Sequence, residues 1–172
     1  MEDFTSRCEL DDAAVTRLDL PQDTKAFLLN AGLPRSSELL VSFMTFDGTF
    51  PTMNDFCRNN GIPYVDAGDA LYRIGSDEGY EFCLTKGSGE VVAVSPVGEL
   101  PDQFVSSNIE HLMKCLACYR EYGKRVQSMT ERAADLEADS TISKMTLIDP
   151  KAFSDGSNWW SCVAEQMQSG MR

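Results

Sequence analysis

The sequence predicts a single domain of the α+β class, in which helices pack on an antiparallel sheet. Three runs of strand-forming residues, 70–74, 80–84 and 90–94, follow one another with glycine-rich turns between them. Beyond them, apolar residues recur at steps of three and four, which is the pattern of an amphipathic helix. The 172 residues are 42% hydrophobic and 24% charged, which suits one ordered core.

The chain is predicted to consist of one main unit with a short N-terminal addition. Residues 1–19 are expected to form an extension or a short helix that packs on the domain, with the helix at 11–18. Residues 20–172 form the domain itself. No repeat, low-complexity tract or linker interrupts that range.

The first part of the domain predicts a helix, a strand and a long connection. Pro21 suits a first helical turn and Gly32 suits the position after a helix end, so a helix is expected over 21–31. The run 39–46 is rich in strand formers. Residues 49–67 contain prolines and a glycine, and are predicted to be an irregular surface connection with about one helical turn.

The central segment predicts an antiparallel meander. Gly75, Asp77 and Gly79 are assigned to the turn between the first two strands, because glycine supplies the positive φ that tight hairpins need. A second turn is expected at 86–89. In 80–85 the residues alternate between large apolar side chains and smaller or polar ones, which is the pattern of a strand with one buried face.

A long helix is predicted after the meander. Ser106, Ser107 or Asn108 can cap it. A buried stripe follows at Ile109, Leu112, Met113 and Leu116. The helix is expected to continue past Gly123, and the polar segment 131–140 is interpreted as its frayed end.

The C-terminal segment predicts a turn and a last helix. Residues 149–150 suit the turn, and Asn158 suits the cap of the helix. Trp159 and Trp160 would dock this helix on the body, with one ring toward the core and the other at the rim.

Charge favours a basic protein as the partner. The formal net charge is −12, and residues 61–110 contain nine carboxylates but only two cations. Such a surface repels phosphate backbones and anionic lipids, so we expect neither nucleic acid nor a membrane as partner. Solubility is the alternative explanation of the charge. No apolar run is long enough to span a bilayer and no signal peptide is visible, so we expect a cytoplasmic protein.

Cysteine and histidine offer one candidate reactive site. His111, Cys115 and Cys118 would share a face of the long helix and could hold a metal or act in redox chemistry. A zinc site needs a fourth ligand, and redox pairs lie at helix starts rather than in mid-helix. Reduced, buried thiols that pack in the core are therefore favoured, and no metal, cofactor or catalytic residue is predicted.

Carboxylates cluster in sequence at Asp66, Asp69, Asp77, Glu78 and Glu81. Paired carboxylates can serve acid–base chemistry or bind magnesium or calcium, but no calcium-loop pattern is present. Turn residues and solvated strand ends are one explanation of the cluster, and an acidic patch that faces a basic partner is the other. Asp77 is assigned to the turn, and the patch stays open for the remaining four.

Several short motifs occur together in a recognisable order: Leu-Pro at 20–21, Gly-Leu-Pro at 32–34, Tyr-Arg-Ile-Gly-Ser-Asp at 72–77, Phe-Cys-Leu at 82–84, Gly-Glu-Val-Val-Ala-Val at 89–94, Phe-Val-Ser-Ser-Asn at 104–108, Ile-Asp-Pro-Lys-Ala-Phe at 148–153 and Trp-Trp at 159–160. This set resembles the SUKH superfamily, and within it the fourth subgroup of bacterial immunity proteins, from Leu20 to Met167. The long segment 124–143 and the Ser-Ser-Asn order at 106–108 depart from the usual pattern.

The resemblance implies a SUKH-like fold, a twisted and mainly antiparallel sheet packed by helices. It also implies a protein that binds and neutralises a cognate toxin, often a nuclease or deaminase, and that is not an enzyme. The alternatives are a SUKH-type regulatory or scaffold module without a toxin partner, and an enzyme or metal protein that uses the cysteine and histidine site.

The predicted mechanism is occlusion of the toxin's basic cleft by an acidic surface. Acidic side chains would steer the encounter, and tyrosines would anchor it. The predicted contact residues are Asp66, Asp69, Tyr72, Glu78, Tyr80 and Glu81, with Tyr64 as a further anchor.

Overall fold

The computed structural model describes residues 7–35, 40–45, 48–63, 66–77, 79–98 and 100–170. In these ranges the chain forms a five-stranded sheet and six α-helices, which confirms the α+β prediction. No helix among them has both the length and the hydropathy needed to cross a lipid bilayer.

The sheet is an antiparallel meander in which every strand pairs with the next one along the chain. Its strands are β1 (Ser42–Phe43), β2 (Leu71–Asp77), β3 (Tyr80–Thr85), β4 (Val91–Val94) and β5 (Gln103–Ser106). The three predicted central strands are therefore confirmed. β5 was not predicted, because it is only four residues long and ends two residues before the helix that follows.

The helices are α1 (Asp12–Arg17), α2 (Gln22–Asn30), α3 (Met53–Asn60), α4 (Ile109–Val126), α5 (Glu131–Ile148) and α6 (Trp159–Gln168). Short 3-10 helices occupy Gly68–Ala70 and Pro150–Phe153. The predicted starts of α4 and α6 are confirmed, since Asn108 and Asn158 take the N-cap positions. The Asn108 side chain accepts a hydrogen bond from the His111 N–H at 2.8 Å, which stabilises the first turn of α4.

Two predictions about helices were wrong, and the strand signal at 39–46 is confirmed only in part. Residues 49–67 contain α3, which Thr52 caps at its start and Gly61 ends at φ +66°. The segment 131–140 is not a frayed end but the first half of α5, and α4 ends before it. Within the described part of 39–46, strand pairing is confined to β1, and residue 39 and residues 46–47 lie outside the described ranges.

The main core lies between one face of the sheet, here called the inner face, and the helices. Phe82 and Leu84 of β3 are fully buried on this face together with residues of α4 and α6. The Phe82 ring meets the Trp159 ring edge-on, with centroids 5.1 Å apart. Trp159 and Trp160 are both buried, so the predicted core role is confirmed while the predicted rim position for one ring is wrong.

A second, smaller apolar cluster lies on the opposite, outer face of the sheet. Cys83 alternates with Phe82 and Leu84 along β3 and therefore points to this face. Met53 and Cys57 of α3 pack on it together with Val94 of β4. Hence α3, which lies in the segment where only about one helical turn was predicted, closes the outer face.

Gly75 has a different structural role from the predicted one. Gly75 and Asp77 belong to β2 and not to the turn, whereas Gly79 lies in the turn with φ +85°. The register shifts between Arg73 and Gly75, and a Cβ on Gly75 would stand 2.6 Å from the Ser42 backbone oxygen. Glycine at this position therefore permits the close approach of β1.

The substitution Gly75→Ala should lower the free energy of unfolding by about 1–3 kcal/mol, because the added methyl group must displace β1 backbone. The matched control is Gly123→Ala in the interior of α4, where nothing lies within 4 Å of the new Cβ. That change should raise the free energy of unfolding by about 0.5–1 kcal/mol. Urea denaturation of both variants measures the contrast, and equal effects would contradict it.

Candidate protein-binding surface

The predicted contact residues do not form one cluster in the structure. Asp66 and Asp69 lie before the first residue of β2. Tyr80 lies at the other end of the strand, where it pairs with Asp77, the last residue of β2. A seven-residue strand is about 20 Å long, so this distance separates the two groups. Glu78 and Tyr64 lie outside the described residues.

Glu81 is engaged inside the chain. Its carboxylate Oε2 lies 2.6 Å from Nε of Arg73, and the two side chains are 13% and 8% exposed. The Arg73 guanidinium carbon lies 4.2 Å from the ring centroid of Phe56 in α3. Burial raises the pKa of Glu81, and the Arg73 hydrogen bond and charge oppose that rise. This pair connects β2 and β3 beneath α3.

The substitution Glu81→Ala should lower the free energy of unfolding by about 3–5 kcal/mol, because it leaves the Arg73 charge buried without its partner. Glu110→Ala is the matched control, since Glu110 and Lys114 form a pair at 2.8 Å whose side chains are about half exposed. The control should cost less than about 1 kcal/mol. Thermal unfolding monitored by circular dichroism separates the two, and a mild effect of Glu81→Ala would rule out the structural role.

At the far end of β2, the turn between β2 and β3 meets the loop between β4 and β5. The Tyr80 hydroxyl donates a hydrogen bond to the Pro101 carbonyl at 3.3 Å. Leu100 Cδ1 lies 3.5 Å from the position that a Cβ on Gly79 would occupy. The loop itself turns through a hydrogen bond from the Gly98 N–H to the Ser95 carbonyl at 3.1 Å. Two segments about 20 residues apart in sequence thus form one surface.

This surface combines exposed apolar side chains with negative charge. Val97 is 60% exposed and Leu100 is 43% exposed. Burial, together with the charges of Cys162 and Asp102, raises the pKa of Tyr80. Asp102 directly follows Pro101, whose carbonyl accepts the hydrogen bond from Tyr80. We call this the hairpin-end surface, and define it by Asp77, Gly79, Tyr80, Val97, Leu100, Pro101 and Asp102. None of these residues carries a positive charge.

The opposite end of β2 has a different character. Asp66 and Asp69 are exposed there, but Lys86 places its Nζ 5.0 Å from the Tyr72 ring centroid. The Tyr72 hydroxyl accepts a hydrogen bond from the Asp19 N–H at 3.2 Å, so it fastens the chain before α2 to the sheet. Tyr72 thus has a structural contact, and this end mixes both signs of charge.

The cysteine and histidine candidate lies on α4. Cys115 is fully buried, and its thiol donates a weak hydrogen bond to the Met145 carbonyl at 3.8 Å. Burial raises the pKa of Cys115 to about 12 and also raises that of Cys118. In the part of the chain that the structure describes, no three His, Cys, Asp or Glu residues are grouped to hold a metal ion. Cys115 therefore serves in core packing, as the sequence favoured.

His111 instead lies next to a buried carboxylate that the sequence analysis assigned only to a turn. Asp149 accepts hydrogen bonds from the Ser106 hydroxyl at 2.7 Å, and from the Ser107 N–H and hydroxyl at 2.7 and 2.8 Å. His111 Nδ1 lies 3.7 Å away. Burial opposes ionisation of Asp149, but these donors and the His111 charge outweigh it and hold the pKa of Asp149 below its usual range. The network joins the end of α5 to the start of α4.

Stability should depend on Asp149 in a pH-dependent way. Because its pKa is lowered by folding, its contribution is complete above the ordinary aspartate pKa of about 3.9 and is lost as the pH falls below that value. Asp149→Asn should therefore lower the free energy of unfolding by about 1–3 kcal/mol at pH 7 and by less at pH 3. Urea titrations at both pH values measure this, with exposed Asp69→Asn as control. A deficit that stays constant with pH would contradict the argument.

The chain was compared with known proteins. A family model described as SUKH-4 immunity protein matches residues 6–166. The match includes all five strands, the first five helices and most of α6. No curated protein matches the chain, and no solved structure matches it.

Proposed function

The chain belongs to the SUKH-4 immunity protein family, which implies a toxin-neutralising role, and on that premise we propose that it blocks a cognate nuclease or deaminase toxin by covering a basic active-site cleft. The match over residues 6–166 is the observation that carries this proposal. Its activity is binding, and it catalyses no reaction of its own. Nucleic-acid-acting toxins fit best, because their substrate clefts must attract phosphate.

The charge distribution supports a basic partner. Residues 61–110 hold nine carboxylates and two cations, and one of these cations, Arg73, is already paired with Glu81. The remaining carboxylates include exposed Asp66, Asp69 and Asp102. A negative field of this kind accelerates encounter with a positive surface and disfavours partners of like charge.

The individual predicted contact residues contribute in different ways under this proposal. Asp66 and Asp69 act at a distance by attracting the toxin. Tyr80 acts at close range, since it lies among the apolar residues of the hairpin-end surface. Tyr72 and Glu81 act by holding the sheet that carries both ends.

A rescue assay tests the proposal. The chain is co-expressed with each toxin domain encoded beside its gene, and survival is scored against an empty vector. We expect protection from one toxin and a stable complex on gel filtration. A variant with Phe82→Asp, which places a charge in the core, is the unfolded control and should not protect. Failure of the well-expressed chain to protect against any of these toxins would favour a regulatory or scaffold module.

Association should be sensitive to salt if the field steers encounter. Raising sodium chloride from about 0.05 M to about 0.5 M should slow association at least tenfold, while dissociation changes much less. Stopped-flow fluorescence with a catalytically inactivated toxin domain measures the association and dissociation rate constants. An association rate that is independent of salt would contradict electrostatic steering.

A further inference from the structure

We propose that the toxin docks on the hairpin-end surface, and that its contact there is a basic protein surface with an apolar group that covers Val97 and Leu100. This inference rests on the proposed function and names the part of the molecule that performs it. It places the contact at one end of the sheet, where the sequence had predicted residues from both ends.

The apolar side chains are the first argument. Val97 and Leu100 lie three residues apart in the β4–β5 loop and are 60% and 43% exposed. Neither belongs to the two apolar clusters of the described chain. Removal of their surface from water would favour association, since the free energy gained scales with the apolar area buried.

The second argument is that this surface is held in place before a partner arrives. The Tyr80 hydroxyl binds the Pro101 carbonyl, and Leu100 rests against the turn at Gly79. β4 and β5 pair directly on either side of the loop. These contacts hold the described residues of the surface in place, so they lose little conformational entropy on binding, which favours affinity.

Charge selects the chemistry of the partner. Asp102 follows Leu100 and Pro101 in the chain, and Asp77 is paired with Tyr80 at the end of β2. None of the residues that define the hairpin-end surface is a lysine or an arginine. A second copy of the chain would present the same acidic residues across a twofold axis, which is repulsive. Phosphate backbones and anionic lipids are repelled for the same reason, so a basic protein surface remains.

Another exposed apolar face exists but lacks this selectivity. Leu136 and Leu147 of α5 are 67% and 84% exposed and lie three helical turns apart on the same side. Their neighbours on the helix, Asp139 and Lys144, differ in sign, so no partner charge is favoured. This face therefore offers a control for the hairpin-end surface.

The experiment compares the same substitution at both surfaces. The probe is the catalytically inactivated toxin domain that the wild-type chain neutralises in the rescue assay, and calorimetry gives its Kd. Leu100→Asp should weaken binding by about 30-fold or more, as for a residue near the centre of an interface. Leu147→Asp, at a more exposed leucine, should change Kd less than about threefold.

Charge reversal supplies a second comparison between the two ends of β2. Asp102→Lys should slow association and also speed dissociation, because its contact is lost in the complex. Asp69→Lys should slow association only. Circular dichroism and thermal melting confirm that each variant is folded. If Leu100→Asp is unfolded, Val97→Ser takes its place in the comparison with Leu147→Asp.

The outcomes separate the two levels of inference. If wild type binds and protects but Leu147→Asp or Asp69→Lys weakens binding as much as Leu100→Asp, the docking site is elsewhere and the inference fails alone. If wild type neither binds nor protects, the proposed function fails and the docking site fails with it.

Discussion

Strand β2 pairs with β3 from Leu71 opposite Thr85 to Asp77 opposite Tyr80, and the register of this pairing decides where the chemically distinct side chains lie. Phe82 faces inward against Trp159. Cys83 faces α3 on the outer side of the sheet, and Glu81 forms an ion pair with Arg73. A slip by one residue would exchange the faces and put the Glu81 carboxylate against the tryptophans. The burial of Phe82 and the ion pair of Glu81 thus favour the same register. This register also fixes the position of the turn between β2 and β3.

Carboxylates in this protein fall into two kinds with different consequences. Glu81 and Asp149 are largely removed from solvent, and each has a partner within the chain. Glu81 pairs with Arg73 on the neighbouring strand, whereas Asp149 accepts hydrogen bonds from Ser106 and Ser107, which lie far away in sequence. Asp66, Asp69 and Asp102 are exposed on the two ends of the sheet. A buried charge that has donors contributes to the fold, whereas an exposed one contributes to the external field. The net charge therefore overstates how many acidic residues are available to a partner.

Local signals explain which parts of the fold could be predicted from the sequence. Gly79, Gly87 and Gly89 in the turns, the caps at Asn108 and Asn158, and the alternation in β3 all act within a few residues, and each predicted its element correctly. The buried side of α5 consists of Ala138, Thr141 and Met145, so its apolar stripe was weak. The eight residues of α3 are mostly polar, so its short apolar side could not be recognised from the sequence. In the structure that side packs on the outer face of the sheet.

The predicted contact residues do not lie together in the structure for a related reason. Proximity in sequence grouped residues that a strand of about 20 Å holds apart. Conversely, the contact between Gly79 and Leu100 links two loops that no local pattern connects. Tyr80, one of the predicted contact residues, lies in this region, and its hydroxyl binds the loop at Pro101. Long-range pairing of strands, which brings loops together, is the information that a single sequence does not carry.

The side chains proposed to contact the toxin on the hairpin-end surface are different from those that stabilise the fold. Val97 and Leu100 are outside both apolar clusters, so they can vary without loss of core packing. The strands on either side of the loop, β4 and β5, are fixed by buried residues such as Ala93, which pairs with Phe82 of β3, and Val105. An immunity protein must follow changes in its toxin while it remains folded. Under the proposed docking, the sheet supplies the rigidity, and the β2–β3 turn and the β4–β5 loop at one end of the meander supply the contact.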